Sequence, residues 1–301
     1  MNWAAWLASG AMSLFFRGLR IKSGLSRLSR SPFVERVVRH LPAQQSTRLL
    51  SGDRIMTSAH DYDGRILVLF GTADPKVADT CVAILRQGDV FLDIGANHGS
   101  IGLAVVPSVG AQGEVHLFEP QATLVARIAS AIRPHANVHL HPIGLLDVDD
   151  TLTLERPDEH SGMGSFATVK HHQELFTTTE QCEVRDIATY LPPLLAGRPF
   201  GVKLDIEGAE GRVLPWLLQQ PNLRFIVFET VALPAGMVGA IIDAGLTIYG
   251  FRRNLLSTRL TRPLDPRQPA DFHDLLAFRP GVSADRLPQD ASPRELAPLV
   301  A

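Results

Sequence analysis

The chain has 301 residues, 45% hydrophobic and 20% charged, which are globular values with ample length for a buried core in one large α/β domain or two small ones. Its 29 Lys and Arg against 31 Asp and Glu leave a net charge of -2, which argues against a protein built mainly to bind nucleic acid. Cys81 and Cys182 are too few for a disulfide framework or a Cys-rich metal site, so a reduced, cytoplasmic setting is expected, and no uncharged apolar run reaches the roughly 20 residues of a spanning helix.

Residues 1–16 carry no charged side chain, and Trp3, Trp6, Leu7, Ala11 and Leu14 recur at helical spacing. Arg17, Arg20, Lys22, Arg27, Arg30, Arg36 and Arg39 follow, against the single acid Glu35. The positive charge comes after the apolar part, which Ser9, Gly10 and Ser13 interrupt, so this is not a secretory signal. Two readings stand: a helical arm packed on the domain, which is the common use of such a pattern, or a helix lying on an anionic membrane surface. At the other end Pro288, Pro293 and Pro298 stand among Ser, Asp and Ala with little to bury. The chain thus divides into a helical basic arm over 1–50, a main domain over 51–280 and a disordered tail over 281–301.

Between the ends, strands and helices alternate. Arg54–Ala59 and Arg65–Phe70 flank Asp63-Gly64, a hairpin signal, and 77–86 reads as a helix ending near Gly88. Short apolar segments then fall at 90–94, 114–118, 137–140, 201–205, 224–229, 246–251 and 275–278, with helices expected at 100–106, 124–132 and 212–219. This alternation predicts a mostly parallel, doubly wound α/β sheet with helices on both faces. Ligands in such sheets sit beyond the carboxyl ends of the strands, so those ends are where function is sought.

The first end is Asp93-Ile94-Gly95-Ala96-Asn97-His98-Gly99-Ser100: strand, glycine turn, helix. Gly95 and Gly99 permit a tight turn and close approach of a ligand, and the helix start offers N–H groups to an anion. A dinucleotide fingerprint needs G-x-G-x-x-G and a P-loop needs a Gly-Lys-Ser/Thr ending; neither is present. An acid plus this turn suits an amino-acid end, with Asp93 meeting the ammonium group and the loop amides the carboxylate. Glu119 ends the next strand, 24 residues after Gly95, where an acid is placed to bind both ribose hydroxyls; Pro120 stops the strand. An amino-acid end and a ribose together fit S-adenosylmethionine better than a nicotinamide dinucleotide. The stretch from His141 through Gly144 to Asp147 would pass the adenine of such a ligand, His141 itself reading as a packed or exposed side chain and not a catalyst.

At the fourth end, Lys203-Leu-Asp205-Ile-Glu207-Gly-Ala-Glu210 crowds three carboxylates into six residues. Glu210 is a helix first-turn acid, whereas Asp205 and Glu207 are candidates for contact with substrate or a cationic cofactor. Glu229 ends the fifth strand, with a structural and a substrate-site role equally open.

Three of these blocks carry a resemblance. Residues 90–99 (Val-Phe-Leu-Asp-Ile-Gly-Ala-Asn-His-Gly), 116–120 (His-Leu-Phe-Glu-Pro) and 202–210 (Val-Lys-Leu-Asp-Ile-Glu-Gly-Ala-Glu) resemble the signature blocks of FkbM-type methyltransferases, in the family's order and at comparable intervals. Residues 182–186 resemble the short strand preceding the last block, with Arg185 in place of the usual Leu. The likeness spans about residues 50 to 255, and its most specific part is the 202–210 block. It implies a seven-stranded Rossmann-like class I methyltransferase fold, S-adenosylmethionine as cofactor, and O-methylation of a hydroxyl on a sugar or natural product. It also implies that Asp93, Gly95, Asn97, Gly99 and Glu119 bind the cofactor, with the neighbouring Ala96, Pro120 and Gly144 expected beside them, and that Asp205 and Glu207 line the reaction centre.

The expected chemistry is in-line transfer of a sulfonium methyl to a hydroxyl oxygen whose proton a base removes, with Asp205 first in line and Glu207 or His98 as alternatives. A version with a divalent metal on Asp205 and Glu207 is conceivable, but nothing in the spacing demands it, so no metal is expected. The 145–200 segment, with Gly162-Met-Gly-Ser165 and the His171-His172 pair, is expected to shape the choice of a small-molecule or glycan acceptor. The alternative function is an S-adenosylmethionine-binding scaffold or regulator without transfer; a nicotinamide oxidoreductase is disfavoured by the failed glycine spacing.

Overall fold

In the computed structural model the described residues are 3–166, 176–230, 233–252, 254–261 and 272–280. The chain opens with three helices, α1 (Trp3–Leu19), α2 (Leu25–Ser29) and α3 (Pro32–Val38), the last capped by Ser31 and started by a proline at its first turn. Strands β1 (Gln45–Arg48) and β2 (Arg54–Thr57) form an antiparallel hairpin whose turn contains positions 50 and 51. The hairpin expected around Asp63-Gly64 is not there. Residues 62–70 form helix α4 (Tyr62–Phe70), because Asp61 caps it, its carboxylate accepting from the amide of Gly64 at 2.8 Å. The apolar run Ile66–Phe70 suits a buried helix as well as a strand, and the cap decides.

Helix α5 (Pro75–Ile84) leads into the central sheet. In chain order come β3 (Val90–Ile94), α6 (Ser100–Val109), β4 (Glu114–Phe118), α7 (Ala122–Ala131), β5 (Val138–His141), β6 (Gly144–Leu146), β7 (Asp150–Arg156), β8 (Thr178–Asp186), α8 (Ile187–Leu195) and β9 (Phe200–Leu204). They are followed by α9 (Glu210–Gln219), β10 (Leu223–Glu229), α10 (Met237–Asp243), β11 (Thr247–Arg252), β12 (Arg259–Thr261) and β13 (Asp274–Phe278). The central sheet runs β12-β11-β13-β10-β9-β3-β4-β5. Its pairs from β10 through β5 are parallel; β13 is antiparallel to both β10 and β11, and β12 to β11. The short β12 makes eight strands where seven are expected. A small sheet, β6-β8-β7, follows the edge strand and includes the 182–186 segment.

Side-chain alternation explains the layers. Leu92, Val202 and Ile226 face one core with Leu191 of α8, Val213 and Leu217 of α9 and Ile241 of α10. Phe91, Val115 and Val227 face the other with Val77 and Cys81 of α5 and Ile101 and Val105 of α6. Helices on both faces make the sheet doubly wound. The chain leaves β3 toward β4 on one side and returns at β9 on the other, so the switch point lies between β3 and β9. Asp93 pairs in register with Lys203 and Ile94 with Leu204, which brings the loops that follow β3 and β9 out side by side.

Candidate functional site

A cavity of about 280 Å³ opens at the carboxyl ends of β3, β4 and β9. Gly95, Ala96, Asn97, Glu119, Pro120, Gly144, Asp205 and Glu207 all line it, so four of the strand-end segments singled out in the sequence meet at one place. Gly95 makes this possible. Its φ is +78°, and a Cβ there would lie 1.9 Å from the carbonyl oxygen of Asp205, so only glycine lets the two strand ends touch. Asn97 and Glu207 hold left-handed backbone, φ 51° and 52°, without being glycine, a conformation concentrated at functional sites.

The loop does not present its amides as expected. Gly95 and Ala96 donate to the carbonyl of Phe118, Gly99 donates to that of Ala96, and Asn97 donates to Glu119 Oε2 at 2.8 Å. These four are engaged within the protein. The start of α6 at Ser100 and Ile101, which line the cavity and have no side-chain cap, is where an anion would be received. Glu119 is buried and raised to about pKa 7 by that burial. It also accepts from Gln121 at 3.0 Å, and two amide bonds leave part of its carboxylate capacity for hydroxyls.

Of the expected cofactor contacts, Gly99, turned inward toward Leu117 and Ile128, and Asp93 do not line the cavity; Asp93 is the consequential case. It is fully buried, Oδ2 accepting from the amide of Gly102 at 2.9 Å and Oδ1 lying 3.5 Å from Lys203 Nζ. Burial raises its pKa, with Lys203 opposing. Lys203, not singled out in the sequence, does line the cavity, bridging Asp93 and Asp205 (3.4 Å) and donating to the carbonyl of Gly95. Burial works against its charge, but Asp205 and Asp93 outweigh it and raise its pKa above the usual lysine value.

Asp205 and Glu207 line the acidic end of the cavity, and Glu229, buried behind them and not lining it, brings an oxygen from each of the three within 4.8 Å of the others. Burial, then Asp205 and Glu229, raises Glu207 to about 10; burial and Asp205 raise Glu229 to about 8. Glu229 Oε1 meets His273 at 3.0 Å, while its buried Oε2 has no hydrogen-bond partner. Glu210 is a cap: its oxygens accept from the amides of Ile206 and Gly208 at 2.8 and 3.0 Å.

The rest of the wall comes from residues far apart in sequence. Asp61 and Asp63 receive the amides of Ser161 and Gly162 at 2.8 and 2.7 Å, and the ring of Tyr62 stacks on that of His160 at 4.3 Å. No local pattern marks these contacts. His98 lines the cavity but is buried, with Nδ1 on Asn97 (2.6 Å) and Nε2 on Thr57 (3.0 Å), which disfavours it as a base. His141 packs on Phe118 and bonds Tyr190, the packed of the two environments expected for it. The His171-His172 pair and the tail 281–301 lie outside the described residues.

No protein-family model matches the sequence, and comparison with curated proteins finds no relative. Solved structures similar to this one include a precorrin-6y C5,15-methyltransferase from Geobacter metallireducens (13% identity over 68% of this chain and 90% of that one, TM-score 0.36). They also include the methyltransferase FkbM from Methylobacillus flagellatus (13% identity, 65% of this chain and 44% of that one, TM-score 0.37). Aeropyrum pernix fibrillarin with natively bound S-adenosyl-L-methionine is a third (11% identity, 80% and 85%, TM-score 0.35). These likenesses are remote. Counted within the central sheet, the strand order is 3-2-1-4-5-7-6 with the seventh reversed, plus the added β12, a doubly wound, Rossmann-like α/β sheet.

Proposed function

We propose that the protein is an S-adenosylmethionine-dependent O-methyltransferase of the FkbM type, acting on a hydroxyl of a glycan, glycolipid or secondary metabolite. The observation that carries this reading is the convergence of the three sequence blocks on one cavity that is acidic at one end. The residues suit the cofactor part by part. Glu119 has acceptor capacity for a ribose, Gly144 and Leu146 offer an apolar slot for a base, and the start of α6 receives a carboxylate. Asp205 and Glu207 at the other end, with Glu229 behind them, suit a cation.

When bound, the cofactor supplies a methyl group on a sulfonium centre. Glu207 is assigned to the proton of the acceptor hydroxyl because it lines the cavity; burial and its acidic neighbours keep it protonated in the free protein, and a cationic cofactor bound beside it would favour the carboxylate that acts as base. Asp205 is committed to Lys203 and positions that side chain. The 159–164 segment, held by Asp61 and Asp63, closes one wall of the cavity.

Transfer of labelled methyl from S-adenosylmethionine to a hydroxyl panel tests this. Wild type methylates at least one acceptor class, and Glu207→Gln lowers kcat by about 100-fold or more while cofactor affinity stays within about threefold. A Glu207→Gln protein as active as wild type removes Glu207 from the mechanism. One observation favours a metal-assisted version: the three carboxylate oxygens within 4.8 Å of one another could share a divalent cation. In that version EDTA abolishes turnover and Mg²⁺ or Mn²⁺ restores it; a reaction indifferent to chelator excludes it.

A further inference from the structure

Helix α1 is docked by one face. Ser13 Oγ donates to the carbonyl of Val68 at 2.9 Å, Met12 and Phe16 pack on the core of α4, and Arg17 donates to Thr47 Oγ1 and to the carbonyls of Leu67 and Val68 at the end of α4. The opposite face should then be polar, as on an ordinary surface helix. It is not. Trp3, Leu7, Leu14 and Phe15 are 62–77% exposed and Leu19 is 45% exposed, with only Ala and Gly between them at Ala4, Gly10, Ala11 and Gly18. No charged residue stands on that face. Phe33 of α3 adds a further exposed ring, 62% exposed. A contiguous exposed apolar surface of this kind marks an interaction site.

Charge identifies the partner. Residues 1–50 carry eight Lys and Arg against Glu35 alone, a net +7, while the remaining 251 residues carry 21 basic and 30 acidic side chains, a net −9. Arg20, Arg27, Arg30, Arg36 and Arg39 are exposed on or beside the three arm helices. A basic arm on an acidic body is arranged to attract an anionic surface, and aromatic and leucine side chains beside arginines suit the headgroup boundary. A 17-residue helix is about 25 Å long, and no described helix is long and apolar enough to cross a membrane. α1 would lie in the surface plane.

We propose that the outer face of α1, with the arginines that follow it, docks the protein peripherally on an anionic lipid bilayer. The claim is independent of the methyl-transfer reading. It gives that reading a consequence, since α2 of the same arm contributes Ser26 to the cavity wall and a lipid-linked acceptor would be presented beside it.

The test is co-sedimentation of the full chain with vesicles of phosphatidylcholine alone or with about one-third phosphatidylglycerol. Variants are Leu14→Asp/Phe15→Asp and, separately, Arg36→Glu/Arg39→Glu, each checked for fold by circular dichroism. Both pairs are exposed, so the fold is expected to persist. Wild type binds the anionic vesicles at least tenfold better than the neutral ones, and 0.5 M NaCl weakens binding. The apolar variant loses binding, and the charge variant loses about fivefold or more for each arginine reversed. Failure of folded wild type to bind anionic vesicles, or unchanged binding by the apolar variant, overturns the proposal. So does a lipid-free dimer in sedimentation equilibrium that Leu14→Asp/Phe15→Asp dissociates, because the face would then belong to a second copy.

Discussion

Replacing Lys203 by Met isolates the side chain that joins the ends of β3 and β9. Lys203 Nζ lies 3.5 Å from Asp93 and 3.4 Å from Asp205, with the lysine 7% and Asp93 1% exposed in their side chains. Methionine keeps the volume and removes the charge, leaving Asp93 buried opposite nothing positive. Breaking a buried pair at one partner costs about 3–5 kcal/mol, most of it the penalty of the orphaned charge. Asp205 is half-exposed and is discounted for solvent screening, so the cost resides in Asp93. Two consequences separate this from a packing effect. Lys203→Met with Asp93→Asn recovers most of the loss, because no charge is left stranded. The deficit of the single variant also shrinks at acid pH: the folded-state pKa of Asp93 is already raised, and without Lys203 it rises further, so the penalty is absent below the unfolded pKa and develops as pH climbs through the folded one. Urea unfolding at pH 5 and 7.5, followed by circular dichroism, measures all of this. A single variant destabilised by less than about 1 kcal/mol, or a double variant no better than the single, would refute the reasoning.

Alkaline pH should destabilise the free protein through the acidic end. The folded-state pKa values of Glu229 and Glu207, about 8 and about 10, lie above the ordinary 4.5, so the stability tied to their protons is complete below about pH 4.5 and is lost as pH rises through 8 and then 10. Tm therefore falls between pH 7 and 9.5, and less steeply in Glu207→Gln/Glu229→Gln; equal slopes would show that the cluster is not the cause. Gly144→Val should block the cavity, because a Cβ at Gly144 already lies 2.8 Å from the ring of Phe166 and 3.0 Å from Val184. Overpacking costs about 1–3 kcal/mol of stability, and affinity for S-adenosylmethionine drops at least tenfold in a thermal-shift titration, whereas wild-type affinity would place the ligand elsewhere.

The strands were legible because buried parallel strands are short apolar runs bounded by glycine and acid, and the cavity opens at their ends, where Gly95, Glu119 and Asp205 stand. What escaped was tertiary. The run Ile66–Phe70 fits a strand or a helix equally well, and only the cap at Asp61 decides. Asp93 has the residue type of a ligand contact, but its register opposite Lys203 turns it into the lysine's buried partner. The glycine-turn amides look free in sequence and meet the carbonyl of Phe118 and the carboxylate of Glu119 once β4 lies beside β3. The wall built by Asp61, Asp63, Ser161 and Gly162 joins residues about a hundred positions apart, and Glu229 meets His273 only because β13 returns antiparallel beside β10.

The central claim is that this cavity binds S-adenosylmethionine through Glu119. Calorimetric titration of S-adenosylmethionine into wild type and Glu119→Ala, with NADH as control, addresses it most directly. Wild type should bind S-adenosylmethionine and not NADH, and the substitution should weaken binding at least tenfold, the loss of one or two hydrogen bonds to a charged acceptor. A folded wild type that binds no S-adenosylmethionine, or that prefers NADH, would contradict it.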